Sequence, residues 1–367
     1  MLSYCGQMPR FRHSTRAAIQ SASTYLSPGL KKKLGRVGLV RRVNQWSKRK
    51  DQTISEDPIP ATEEQDIVSD PVEVENTPET NPIALMGERP SYRYKLEESK
   101  RRRQLILENY GIRDPLFAIN DKYRAYEFAD AHGVDHPRVL DAWRTIEDVD
   151  WSALPDAFVL KTRWGSSNVG VKALVGQGDG LYRDLMRSRT WTVDEILADH
   201  VDKESRGRVS RAGFVEELIM KPGGVGIADD WKFYCFYGRV GLSMQRDLRA
   251  SADMSDWRFK FRDRDWRDLG PVKFFDRLDP ALPQPRDSAA LVELAERLSS
   301  LIGRPFIRID LFEADRGPVL GEFTPAPGPP EVFVPEIDEM LGAFWEEAEA
   351  RQFADSINDG DWDHLVV

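Results

Sequence analysis

Cysteine is nearly absent: the 367 residues hold two, Cys5 and Cys235. Two thiols make neither a disulfide framework nor a cysteine-based zinc site. No apolar run approaches the ~20 residues that a membrane-crossing helix needs. The five histidines are scattered, which indicates neither a histidine metal site nor a Ser-His-Asp triad. A net charge of −9 argues against a nucleic-acid partner, because phosphate contacts need clustered Lys and Arg. With 41% hydrophobic and 10% aromatic residues, the chain can build a large core in one elaborate domain or two. The expectation is a soluble protein in a reducing compartment, the cytoplasm.

Each of two neighbouring stretches lacks one sign of charge. Residues 1–50 carry no Asp or Glu, and residues 51–80 carry no Lys or Arg. The second stretch is also rich in Pro, Thr and Ser. Blocks of like charge with few aromatics rarely pack, so 51–90 reads as a disordered linker and 1–90 as a tail. The basic head admits three readings: peripheral contact with anionic lipid, a targeting peptide, or a solvated tail. A secretory signal is not expected, since no compact apolar core follows the first positive charges.

Order is expected from about Tyr92. Leu96, Leu105, Ile106 and Tyr110 recur at helical spacing up to Gly111. A second helix is predicted from Asp121 to about His132, then an extended piece through Pro137 into Val139 and Leu140. "DAFVLKTRWGSSNVGVKALVG" reads as two strands, 158–162 and 170–175, around a Gly/Ser/Asn turn. "GLYRDLMRSR" and "TVDEILADHV" both read as helices, and "AGFVEELIM" as an apolar strand. "DDWKFYCFYGRVGLSMQRDL" is a long hairpin with Gly238 at its tip, and "WRFKFRDRDWRDL" a further strand. "SAALVELAERLSSLIG" is an amphipathic helix with Ser288 as cap and Gly303 as stop. A hairpin over 307–324 and a final helix from Pro335 complete an α+β, mostly antiparallel architecture.

The hairpin "RIDLFEADRGPVLGEFTPAPG" carries the first candidate site. Strand side chains alternate, so Arg308 and Asp310 share one face while Ile307, Ile309 and Leu311 take the other. Glu322 and Thr324 share a face on the partner strand, and pairing of the two polar faces brings Asp310 and Glu322 together beside Arg308. Two such carboxylates repel unless a cation lies between them, and Mg²⁺ takes hard oxygen ligands of this kind. The alternative is a salt-bridge network on a solvated face. "LKTRWGSSNVGV" places Lys161, a point charge for phosphate, before a turn of Gly165, Ser166, Ser167, Asn168 and Gly170 whose backbone N–H groups could face an anion. It is neither a Walker A loop nor a Rossmann fingerprint, and an ordinary turn is the plain alternative. Glu216 and Glu217 are adjacent acids in an apolar strand, so at least one is buried or lines a cleft unless the strand is an edge in water. Lys232 lies on the Tyr234 and Phe236 face of its strand, as a snorkelling lysine or as a phosphate ligand. Cys235 reads as core.

Taken in order, "DK…GVDHP", "LKTRWGSSNVGV", "VEELI" and "RIDLF…GEFTPAPG" resemble the ATP-grasp superfamily over roughly 115–345. The last hairpin and the Gly/Ser loop resemble D-alanine–D-alanine ligases. "DWKFYCF" and "GEFTPAPG" resemble the branch linked to teichuronopeptide and other surface-polymer biosynthesis. The resemblance implies two α+β subdomains whose antiparallel sheets grip ATP, within a catalytic domain of residues 91–350. A central lid-like subdomain would span about 150–215, and 351–367 would be a tail. It implies phosphate contacts from Lys122 and Lys161, a phosphate-closing loop over 166–170, and an adenine contact from Glu216 with Glu217 to Ile219 as hinge. Asp310 and Glu322 would ligate Mg²⁺, Arg308 would stabilise the transferring phosphoryl group, and Lys232 would be a further phosphate contact. Many of these ligases have Asn two residues after the metal Glu; this chain has Thr324, whose hydroxyl is a poorer ligand. The implied reaction joins a small-molecule or glycan carboxylate to an amine through an acylphosphate. A sugar-hydroxyl kinase and a non-catalytic ATP-binding scaffold are the alternatives.

Overall fold

The computed structural model describes residues 89–164, 169–224, 226–247, 256–273, 277–328 and 332–360. These lie in the unit Val72–Val367. The basic head, nearly all of the linker and the turn residues Gly165, Ser166, Ser167 and Asn168 fall outside the described residues. Among the described residues no helix is long and apolar enough to cross a membrane.

Helix α1 (Tyr92–Tyr110) starts where the Ser91 hydroxyl accepts the Tyr94 N–H, and ends at Gly111, whose φ of 65° suits glycine. Its buried contacts are Tyr92 and Leu96 rather than the longer predicted stripe: Leu105 and Tyr110 are exposed. The spacing of those residues is helical, but the helix that buries Tyr92 and Leu96 lies against the first turns of α1, while Arg103 further along stacks on Phe117. That helix is α5 (Pro335–Asp359). Helix α2 (Lys122–Ala131) is capped by Asp121, whose carboxylate accepts the Tyr123 and Arg124 N–H groups. The cap sets Lys122 in the first turn, where it is buried.

Two antiparallel sheets follow. Strands β1 (Val139–Trp143), β2 (Ala157–Thr162), β3 (Val171–Gly178), β4 (Leu181–Asp184), β5 (Arg189–Thr192) and β6 (Gly213–Glu217) form the first, in the order β1-β6-β2-β3-β4-β5. Helix α3 (Val193–Ser205) leaves β5 through a capping box of Thr192 and Glu195. The predicted helix over 180–189 is instead β4 and the turn after it. Positive φ at Gly178, Asp179 and Gly180 folds the chain back on β3 at once. Asp184 then accepts the Met186 N–H in a local turn that competes with helix formation.

The second sheet holds β7 (Asp230–Cys235), β8 (Val240–Asp247), β9 (Arg258–Arg262), β10 (Ile307–Ala314) and β11 (Gly317–Thr324), in the order β11-β10-β7-β8-β9. All six residues of β7 are buried, because both faces of the sheet are covered. On one face Trp231, Phe233, Ile307, Ile309 and Phe323 pack with Leu291, Ala295 and Leu298 of helix α4 (Ser288–Ile302) and with α2. On the other, Tyr234 and Phe236 join Tyr92, Phe306 and Trp345 of an aromatic cluster beneath α1 and α5. Each such fully buried side chain contributes about 1.5–3 kcal/mol. The cap of α4 is Asp287, one residue before the predicted Ser288; its carboxylate accepts the Ala290 N–H. Helix α5 continues through 351–359, where the sequence suggested a tail. Arg351 there donates to the Phe236 and Tyr237 carbonyls.

Gly342 of α5 lies directly against the start of α1: a Cβ there would come within 2.3 Å of Ser91 N and 2.6 Å of Pro90 C. Both neighbours are backbone and cannot swing aside. Gly342→Ala is expected to cost about 1–3 kcal/mol, as overpacking does, and to lower Tm. A thermal melt superimposable on wild type would show that α1 and α5 are not held this closely.

Candidate active site

The register of three strands makes the site. Asp310 of β10 lies opposite Glu322 of β11 on one side and Lys232 of β7 on the other. The shift in register falls immediately after Asp310, so the pairing that aligns the two carboxylates survives it. Arg308, two residues back on the same face, pairs with Thr324. The five groups are linked in a chain of contacts. Arg308 donates to both Asp310 oxygens (2.8 and 3.0 Å) and to the Thr324 hydroxyl (2.9 Å), and Thr324 donates to Glu322 Oε1 (3.3 Å). Lys232 bridges Asp310 and Asp230, the latter at 2.9 Å, and Asp230 is also paired with Arg246. Burial pushes the Asp230 carboxyl up, and the Arg246 and Lys232 charges and the Lys232 hydrogen bond outweigh it, bringing its pKa to about 2.

Glu322 is the open member of the row. Its side chain is 34% exposed, and its nearest cation on the far side is Lys122, 3.9 Å away. Burial pushes its pKa up, and the charges of Lys122, Lys232, Arg308 and Lys161 outweigh that and hold it below the ordinary value. Four cations thus converge on one carboxylate.

Lys161, on β2, is buried with Glu216 of β6 at 2.5 Å. Tyr126 of α2 completes this pair: its hydroxyl donates to Glu216 Oε2 (2.7 Å) and accepts from Lys161 (3.3 Å). Burial, then the Glu216 charge, raise the Tyr126 pKa well above its usual value, which keeps the phenol a donor. Arg163, two residues after Lys161, forks the Asp121 cap and ties the end of β2 to α2. Gly170 is tightly packed, since a Cβ would meet Thr162 Oγ1 at 2.2 Å. Glu217 turns away from this cluster. Arg316 forks its carboxylate (2.8 and 3.1 Å) and Arg138 donates to it from side chain and backbone. Burial pushes the Glu217 pKa up, and these bonds and charges leave it below the ordinary value. Ile219 is buried with Ala228, Ala314 and Val319. Cys235 is buried and its thiol pKa is pushed well up, first by burial, so it is no nucleophile.

Lys122, Lys161, Glu216, Lys232, Arg308, Asp310, Glu322 and Thr324 are therefore linked directly or through Tyr126, Glu322 and Arg308. The bidentate Arg316 contact gives Glu217 a place outside that set. Tyr126, Asp230 and Arg246 were not singled out in the sequence. Tyr126 lies four residues after Lys122 on a helix, and Asp230 two before Lys232 on a strand, so each shares the face of a residue already marked.

The oxygen set suits a hard dication: two carboxylates and a hydroxyl, with Glu322 open. Among the described residues no three His, Cys, Asp or Glu side chains gather as a metal cluster. A Mg²⁺ ion here would complete its shell with oxygens from water or phosphate, as that ion commonly does.

No curated protein matches the sequence. Among solved structures, the chain is similar to D-alanine–D-alanine ligase from Bacillus anthracis at 16% identity, covering 65% of this chain and 69% of that one with a TM-score of 0.40. It is similar to the D-alanyl-alanine synthetase A from Vibrio cholerae at 13% identity, covering 64% and 66%, TM-score 0.39. It is also similar to the ATP-grasp ligase PsnB complexed with minimal precursor, Mg and ADP, at 14% identity, covering 74% and 73%, TM-score 0.37. The family model described as TupA-like ATPgrasp matches residues 100–346, more than half of the 367. The α+β architecture of antiparallel sheets agrees with that match, and the chain belongs to the TupA-like ATP-grasp family.

Proposed function

We propose that the protein is an ATP-dependent carboxylate–amine ligase that acts through an acylphosphate in the assembly of a cell-surface polysaccharide or teichuronopeptide-type polymer, with a uronic-acid-type glycan as the carboxylate. The observation that carries the chemistry is the row Lys232–Asp310–Glu322 with Arg308 beside it and Lys122 and Lys161 facing Glu322. The polymer setting rests on the resemblance of "DWKFYCF" and "GEFTPAPG" to the surface-polymer branch.

Lys122 and Lys161 hold the α- and β-phosphates. Glu216 meets the adenine amino group, while the backbone from Glu217 to Ile219 lies along the base. Asp310 and Glu322, aided by Thr324, hold Mg²⁺, which when bound neutralises phosphate charge and orients the oxygens. Lys232 already shares two carboxylates, so an incoming phosphate oxygen offers it a third anion on the same face. Arg308 is fixed by Asp310 and Thr324 before any substrate arrives, and a cation held in advance is the kind that stabilises a transferring phosphoryl group. In the reaction a carboxylate oxygen bonds to the γ-phosphorus as the bond to ADP breaks. An amine nitrogen then bonds to the acyl carbon, losing a proton as inorganic phosphate leaves. These residues position and neutralise rather than bond covalently.

Calorimetry with Mg·ATP should show binding that Asp310→Asn and Glu322→Gln each weaken by about tenfold or more, about 1.4 kcal/mol; wild-type affinity in both variants would remove the metal assignment. Phosphate release should require a uronic acid and an amine together. Release with a sugar alcohol alone would instead identify a hydroxyl kinase. With the catalytic domain proposed for 91–350, a chain lacking 1–90 should bind Mg·ATP as the full chain does; loss of binding would move that boundary.

A further inference from the structure

The segment 217–223 leaves β6 and leads towards β7, and both of its ends are held by one two-residue turn. That turn, Asp315–Arg316, joins β10 to β11, the strands that carry Asp310 and Glu322. At one end Arg316 forks Glu217 with N–O distances of 2.8 and 3.1 Å, while its Nε is paired with Asp135. At the other end both Asp315 carboxylate oxygens accept the Gly223 N–H, at 3.1 and 3.3 Å, and Arg286 reaches Asp315 from behind. Between the ends, Ile219 packs with Ala314, the residue before the turn, and with Val319 of β11 in a small core separate from the others. Asp135 also accepts the Leu320 N–H through its carbonyl, so the anchor of Arg316 is itself tied to β11. A fork, a backbone hydrogen bond and an apolar plug therefore fix one short segment to one hairpin.

We propose that Asp315 and Arg316 are positioning residues for base recognition: they fix the 217–223 strap in register with the phosphate-and-metal face of the same hairpin. The proposal rests on the ATP-binding reading above. It assigns Glu217 a different part from Glu216: the Glu217 carboxylate is a latch, and only its backbone lies along the base. A strap held at both ends presents backbone N–H and C=O groups at fixed positions, and fixed donors and acceptors distinguish adenine, an amino group beside a ring nitrogen, from guanine. Arg suits the task where Lys does not, because a single ammonium cannot span both carboxylate oxygens.

The test compares Arg316→Ala, Arg316→Lys and Asp315→Ala in the full chain. Asp315 and Arg316 are 68% and 39% exposed, so these substitutions leave the core intact, which a thermal melt verifies. Calorimetry measures Mg·ATP, Mg·GTP and Mg·tripolyphosphate. Arg316→Ala and Asp315→Ala are expected to weaken ATP by about five- to tenfold, the size of a lost charge-assisted contact. They should lower the preference for ATP over GTP and leave tripolyphosphate within about twofold, since that ligand has no base to be read. Arg316→Lys should recover less than half of the loss. Equal losses for ATP and tripolyphosphate, or an unchanged ATP-to-GTP ratio, overturn the proposal while leaving the nucleotide reading in place. A wild-type chain that binds tripolyphosphate and no nucleotide more tightly overturns both.

Discussion

The Asp310 carboxylate is 6% exposed, and a charge so far from water is stable only while cations stand beside it. Lys232 and Arg308 do so, but Lys232 is shared with Asp230, and Asp230 with Arg246. The result is a line of alternating charge, Arg246–Asp230–Lys232–Asp310–Arg308, laid across β8, β7 and β10. Its members are interdependent: removing one leaves its neighbour a buried charge without compensation, a loss of several kcal/mol rather than of one weak contact. The opposite face of the same strands is Trp231, Phe233, Ile307 and Ile309, packed with α4 and α2. The rigidity of the site comes from setting this line of ion pairs, beside the aromatics Tyr234 and Phe236, on strands whose other face is packed.

The charged line also explains why Glu322 differs from Asp310 although the two are register partners. Asp310 has spent its oxygens on Lys232 and Arg308, whereas Glu322 has one weak hydroxyl contact and a distant lysine. On the proposed metal reading, a dication would find Glu322 the more accessible carboxylate and would compete with Lys232 and Arg308 for Asp310.

Much of this was legible in the residues. The period of two in "RIDLF" and "GEFT" fixes which side chains share a face, and antiparallel pairing then leaves few ways to align Asp310 with anything but Glu322. The expected start of α2 at Asp121 and its end near His132 hold, as do the glycine ends of α1 and α4. Lys122 and Lys161 were different: nothing in their local pattern brings them together, and only the ordered set of motifs linked them. Tyr126, which joins α2 to the Lys161–Glu216 pair, needs a tertiary contact that no local rule supplies. The stretch 180–189 misled because its leucines and methionine recur at helical intervals, while three consecutive positive φ angles before it and the side chain of Asp184 within it decide for a hairpin. For Leu105 and Tyr110 the period was right and the burial was not: helical spacing identifies a face, but not whether another element lies against it.

Cys235 sits at the end of β7, sealed on both sides by Phe233, Ile307 and the helices above them, with its thiol pushed towards the protonated form. A thiol in that condition reacts with nothing while the sheet is closed. Its first encounter with an alkylating reagent therefore marks the opening of the strand that also carries Lys232. The rate of modification at this sulfur is a clock for the sub-global opening of the second sheet, and reading it needs no turnover.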